Sequence, residues 1–182
     1  LLNNHWTFDA RLSNIGTDGY IDRASVDLNS YYLQGGYFAE NTSVKLIAFA
    51  GKEKTYHAWG YATKKEMEDF GRRYNPCGEM YTDANGNKHF YDDQTDNYLQ
   101  KNYQLLFNHT FSTAWNLNVA LHYTKGDGYY EEYKEDRSFV EYGLKPFTTD
   151  GKEISESDLV RQKKMDNKFG GGVFSLNYTN HR

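Results

Sequence analysis

Tyr103-Gln104-Leu105-Leu106-Phe107-Asn108-His109-Thr110-Phe111-Ser112-Thr113-Ala114-Trp115-Asn116-Leu117-Asn118-Val119-Ala120-Leu121-His122-Tyr123-Thr124 is the stretch that decides the fold. Successive side chains of a strand point to opposite faces, so period-2 alternation is a strand signal. Tyr103, Leu105, Phe107, His109 and Phe111 form one face; Asn102, Gln104, Leu106, Asn108 and Thr110 form the other. After the break at Ser112-Thr113-Ala114, Leu117, Val119, Leu121 and Tyr123 repeat the pattern against Asn116, Asn118, Ala120, His122 and Thr124. The stretch predicts an antiparallel hairpin with one apolar, aromatic face and one polar face.

The same alternation recurs outward from it. Trp6, Phe8, Ala10 and Leu12 alternate with His5, Thr7, Asp9 and Arg11, and Phe174, Leu176 and Tyr178 alternate with Ser175, Asn177 and Thr179. The stretches 29–38 and 43–55 are also strand-like; Leu46-Ile47-Ala48-Phe49 is apolar on both faces, which leaves its orientation open. The expectation is six strands, roughly 5–14, 26–38, 43–56, 99–111, 115–129 and 167–180. Tight turns at 38–43 and 111–115 alternate with long connections at 15–25, 57–98 and 130–166. Pro76 and Pro146 both fall in the long connections, where a missing N–H breaks no ladder. Antiparallel strands then place every long connection at one end and both tight turns at the other. Short turns on one side and long loops on the other mark outer-membrane barrels. Compact domains seldom hold long structureless loops. Trp6, Phe38, Phe111 and Trp115 stand near strand ends, as an interfacial aromatic girdle requires.

Composition agrees. The chain has 182 residues, with 17 Tyr, 11 Phe and 3 Trp set among polar neighbours. Low mean hydropathy with many aromatics is what one lipid-facing and one water-facing strand surface produce. Disordered chains are poor in aromatics. A net charge of −4 argues against general phosphate-backbone binding, so no nucleic-acid partner is expected. One Cys excludes an intrachain disulfide framework and a Cys-rich zinc site. Leu1-Leu2-Asn3-Asn4-His5-Trp6 lacks the layout of a signal peptide, and no apolar run is long enough for a membrane helix.

The connections carry local signals. Thr63-Lys64-Lys65-Glu66 reads as a capping box opening a short helix that stops at Gly71. Met80 to Tyr91 reads as a hairpin around Asn85-Gly86. Asp83-Ala84-Asn85-Gly86-Asn87 lacks the further ligands and closing Glu of a calcium loop, so a turn is the better reading. The histidines are dispersed without metal spacing, and no metal or cofactor is expected. Cys77 has no base placed beside it by the sequence, and no nucleophile elbow, Walker or dinucleotide motif occurs, so no enzymatic activity is expected. Gly170-Gly171-Gly172 suggests tight curvature or close approach by another element. The candidate ligand-binding residues are His57, Trp59 and His89 in the long 57–98 connection, Tyr129 and Tyr130 beside the Tyr-rich 130–166 stretch, and Arg11 and His122 on polar strand faces. Tyr-rich surfaces bind glycans or metal chelates by stacking and hydrogen bonding.

Several stretches resemble TonB-dependent outer-membrane receptors of Bacteroides-like Gram-negative bacteria. They are Arg11-Leu12-Ser13-Asn14-Ile15-Gly16-Thr17-Asp18-Gly19-Tyr20-Ile21-Asp22-Arg23-Ala24, Gly51-Lys52-Glu53-Lys54-Thr55-Tyr56-His57-Ala58-Trp59 and Asp96-Asn97-Tyr98, followed by Tyr103 to Phe107 and Leu121 to Thr124. The resemblance implies a barrel of about 22 strands plugged by an N-terminal domain. It implies residence in the outer membrane and contact with its lipid. It also implies coupling to the TonB complex through an N-terminal region and uptake of an iron chelate, haem, a cobalamin-like molecule or a glycan. No plug and no TonB box occur in these residues, so residues 1–182 are expected to be an interior part of the barrel domain, about six strands of it. The alternative expectation is a soluble, secreted, Tyr-rich β-sandwich that binds glycans.

Overall fold

The computed structural model describes residues 3–180; His181 lies outside them. The chain is all-β, built on one antiparallel sheet of six long strands. These are β1 (Trp6–Thr17), β2 (Val26–Phe38), β3 (Thr42–Tyr56), β6 (Thr95–Thr110), β7 (Trp115–Ser138) and β10 (Glu156–Tyr178). The connection after β3 holds a helix, α1 (Lys64–Phe70), and a hairpin of β4 (Glu79–Thr82) and β5 (Lys88–Phe90). The connection after β7 holds a 3₁₀ turn (Phe139–Tyr142) and a hairpin of β8 (Phe147–Thr149) and β9 (Lys152–Ile154). The sheet order is β1-β2-β3-β6-β7-β10, each strand beside its predecessor in the sheet. β1 and β10 are the two edges, so these six strands form an open sheet.

Register carries the alternation across every strand. Leu105 of β6 stands between Leu46 of β3 and Leu121 of β7, and Leu46 faces Gly35 of β2. Gln104 stands between Ile47 and His122 on the other face. The open question at 46–49 is thereby answered: Leu46 and Ala48 join the apolar face, Ile47 and Phe49 the polar one. The apolar face continues through Phe8 and Leu12 of β1 and Phe174 and Leu176 of β10. Nothing covers it among the described residues. Leu12 is 82% exposed, Phe174 69%, Phe8 67% and Leu46 60%. A sandwich would bury these side chains under a second sheet, and the other two sheets here are two-stranded hairpins.

The turns at 39–41 and 111–114 lie at one end, and the connections 18–25, 57–94 and 139–155 lie at the other. Aromatic pairs fringe the apolar face at the turn end: Trp6 on Tyr37 at 4.9 Å, Trp115 on Tyr178 at 4.8 Å, and His109 on Phe111 at 4.5 Å. Phe38 departs from the expected girdle. Its parity puts it on the polar face, where Lys45 lies 5.6 Å from its ring.

The polar face is cross-linked by side chains. Asn108 donates to Asn118 (2.6 Å), Thr124 to Asn102 (2.8 Å), and Gln34 to Asp9 (3.1 Å). The glycines of β7 and β10 serve close approach. Asn97 O and Tyr98 Cα occupy the space where a Cβ on Gly128 would stand, and the His122 ring covers Gly171.

Several expected strand bounds need correction, β1 among them, which runs to Thr17 rather than 14. The 130–166 stretch is not one long connection: β7 runs on to Ser138 and β10 begins at Glu156, so the connection is 139–155. Tyr130 is therefore a strand residue, as Tyr129 already is in the expected strand. β6 likewise begins at Thr95 rather than 99, which puts Asp96 in the sheet. The capping-box helix and the Asn85-Gly86 hairpin both form. No helix of the described residues is long and apolar enough to cross a membrane.

Candidate functional site

Packed interior lies mainly at the loop end of the sheet, not between layers. Tyr56, His57, Tyr74, Asn75, Cys77, Gln94 and Thr95 are all buried there. Asn75 is the staple. Its carboxamide donates to Asp22 O (3.0 Å) and His57 O (2.9 Å) and accepts the Cys77 N–H (3.0 Å). Arg23 donates to the Asn75 carbonyl and lays its guanidinium 3.5 Å from the centre of the Phe90 ring. One buried side chain thus ties the 18–25 connection, the exit of β3 and the 57–94 connection together. Cys77 is buried, and its Sγ accepts the Gly60 N–H at 3.2 Å. It packs as a structural thiol with no base at its sulfur among the described residues.

This roof fixes His57, whose N–H donates to Gln94 O at 2.8 Å. The ring is fully buried and stacks on Trp59 with centroids 3.9 Å apart. Tyr130 approaches both rings, at 6.1 Å from His57 and 6.3 Å edge-on to Trp59. Asp96 Oδ2 lies 3.4 Å from His57 Nε2, but neither ring nitrogen has an aligned hydrogen bond. Burial lowers the His57 pKa, outweighing the opposite pull of Asp96 and Glu132. The ring is accordingly neutral near pH 7.

Register supplies the rest. Asp96 of β6, Tyr130 of β7 and Lys163 of β10 stand side by side on the polar face. Lys163 Nζ lies 5.2 Å from the centre of the Tyr130 ring. One step further out, Glu132 binds Lys134 (2.9 Å) and Arg161 Nε (2.9 Å). Burial raises the Glu132 carboxyl pKa, but these two cations outweigh it and the net shift is downward. The result is a shelf beyond the apolar band. Exposed Trp59 and half-exposed Tyr130 offer flat apolar surface, and Asp96 and Lys163 offer hydrogen bonds of both senses. Such a surface can stack a planar or sugar-like ligand and bond its polar edge.

His57, Trp59 and Tyr130 therefore come together, and the other four candidates do not join them. His89 stacks on Tyr81 at 4.5 Å in the β4–β5 hairpin, with Asp83 3.3 Å from its Nε2. Asp83 itself accepts the N–H groups of Asn85 (2.9 Å) and Asn87 (2.8 Å) and the Asn87 amide (3.0 Å). Those bonds, the Asn87 amide foremost, hold its pKa down to about 2. Tyr129 points to the opposite face of β7 from Tyr130, over Asn97 and Lys164. Arg11 sits on the polar face beside Tyr32 in β1, and His122 on that face of β7, its ring 5.0 Å from Phe169. Asp96, Lys163, Glu132 and Asn75 are not among the candidates drawn from the sequence. Strand parity counted back from Asn102 to Asp96 would have found the first of them. Comparison with protein-family models, with curated proteins and with solved structures finds no match to this chain.

Proposed function

We propose that this chain is a segment of an outer-membrane β-barrel of the TonB-dependent receptor kind, which binds a bulky nutrient at its loop end and takes it up. The observation that carries the reading is the uncovered apolar face, continuous over six strands and fringed by aromatic pairs at the turn end. Exposed apolar patches of this extent mark interaction surfaces. Here the far side of the sheet is polar and cross-linked, which suits lipid on one side and a water-filled lumen on the other. Trp115–Tyr123 matches the ~9–11 residues that a tilted membrane strand needs. The two sheet edges would pair with further strands of a closed barrel, removing the aggregation hazard of free edges. The resemblance to TonB-dependent receptors supplies the energy source and the ligand range: iron chelates, haem, cobalamin-like molecules or glycans.

In this reading Trp59, Tyr130, Asp96 and Lys163 form part of the ligand-binding rim, facing the lumen. Titrating full-length protein with candidate chelates and oligosaccharides tests it. The W59A/Y130A variant should bind the ligand roughly 5- to 150-fold more weakly, two stacking contacts being worth roughly 0.5–1.5 kcal/mol each. Unchanged affinity in a folded variant would remove this rim from the ligand site.

A further inference from the structure

A row of lysines borders the apolar face at its loop end. Lys101 of β6 is opposite Lys125 of β7, and Lys125 is opposite Lys168 of β10. All three share the face of Tyr103, Leu105, Tyr123 and Leu121, one step beyond the Tyr103–Tyr123 pair. Neighbouring strands lie about 4.8 Å apart, so the three attachment points span roughly 10 Å. Directly opposed like charges destabilise a sheet. Among the described residues none of the three has an ion pair or a side-chain hydrogen bond to relieve this. The nearest carboxylates on this face, Asp127 and Asp166, stand one row further out and make no ion pair with them. Among the described residues the opposite border of the apolar face carries Trp6, Tyr37, His109, Trp115 and Tyr178, with no Lys or Arg. The cations thus mark one edge of the band only.

We propose that Lys101, Lys125 and Lys168 bind the phosphates of anionic lipid headgroups where the bilayer meets the loop end of the barrel. The inference rests on the membrane reading above. It adds a specific lipid contact: acyl chains against Leu105, Leu121 and Tyr123, and headgroup phosphate on the ammonium row. Charge complementarity explains why a strained run of like charges stands at this level.

The test uses full-length protein in phosphatidylcholine bilayers doped with phosphatidic acid, with retained lipid counted by native mass spectrometry. K101Q/K125Q/K168Q should lose about 100-fold of the preference for phosphatidic acid, three lysines each contributing about fivefold. K125Q alone, the central change, should lose about fivefold. K65Q/K145Q/K152Q removes equal charge from the connections and should retain the full preference. An unchanged preference in the triple row variant, an equal loss in the connection variant, or displacement of the lipid by free inorganic phosphate would overturn the proposal. Flotation of the unmodified protein with plain phosphatidylcholine vesicles separates the two readings. Failure to float defeats the membrane reading and this one with it, whereas flotation without lipid preference defeats only the lysine row.

Discussion

Asn75 shows how much of the loop end hangs on single side chains. It satisfies a buried carbonyl, a part-buried carbonyl and a buried N–H, and alanine would leave all three without partners. Unmade buried hydrogen bonds cost about 1–3 kcal/mol each, moderated by relaxation and water entry. N75A is expected to lose roughly 2–4 kcal/mol and to open the 57–94 connection to protease, read by denaturant titration and limited proteolysis. His57 gives a pH signature. Its folded pKa lies below the unfolded value of about 6.5, so the unfolded chain takes up the proton first. Stability is therefore full above pH ~6.5 and declines as pH falls below it, ending at the folded pKa. H57Q should flatten that decline in thermal melts between pH 7 and pH 5. An identical slope in the variant would assign the decline elsewhere. Neither role was legible in the sequence, because burial of an Asn or a His inside a loop depends on contacts made far along the chain.

At the scale of elements, the hairpin 103–124 was legible because its two faces differ in polarity at every step. The outer ends of β7 beyond 129 and of β10 before 167 were not. Tyr130-Glu131-Glu132-Tyr133-Lys134-Glu135 carries Tyr or charged residues on both faces, so period 2 leaves no trace there, and register with β10 decides instead. That extension takes Tyr130 out of the connection and sets it on the face opposite Tyr129. It also brings Tyr130 to His57. Gly128 makes this pairing close enough: its missing Cβ is where Asn97 O and Tyr98 Cα sit, both backbone atoms that cannot swing aside. G128A is expected to cost about 1–3 kcal/mol, the range for forced overpacking, and to loosen the outer ends of β6 and β7 in hydrogen exchange. Exchange unchanged from the parent would show that the strands part there without cost. The capping box and the Asn-Gly turn were readable for the opposite reason, since both close within a few residues and need no distant partner.

For the whole molecule, the alternation of short and long connections foretold which end of the sheet carries the packed loops. It could not foretell that the candidate site would be built from β6, β7 and β10 together with one connection. Among the described residues nothing covers the apolar face of the six strands, and what that face meets decides between lipid and protein as its neighbour. Leu121 and Asn118 are three residues apart on β7 and on opposite faces, which makes them a matched pair. The decisive measurement is the unfolding free energy of full-length L121R and N118R in lipid bilayers. A lipid-facing apolar surface entails a loss of about 2–4 kcal/mol for L121R, as an arginine near the midplane requires, and little change for N118R. Equal losses from the two substitutions would contradict it.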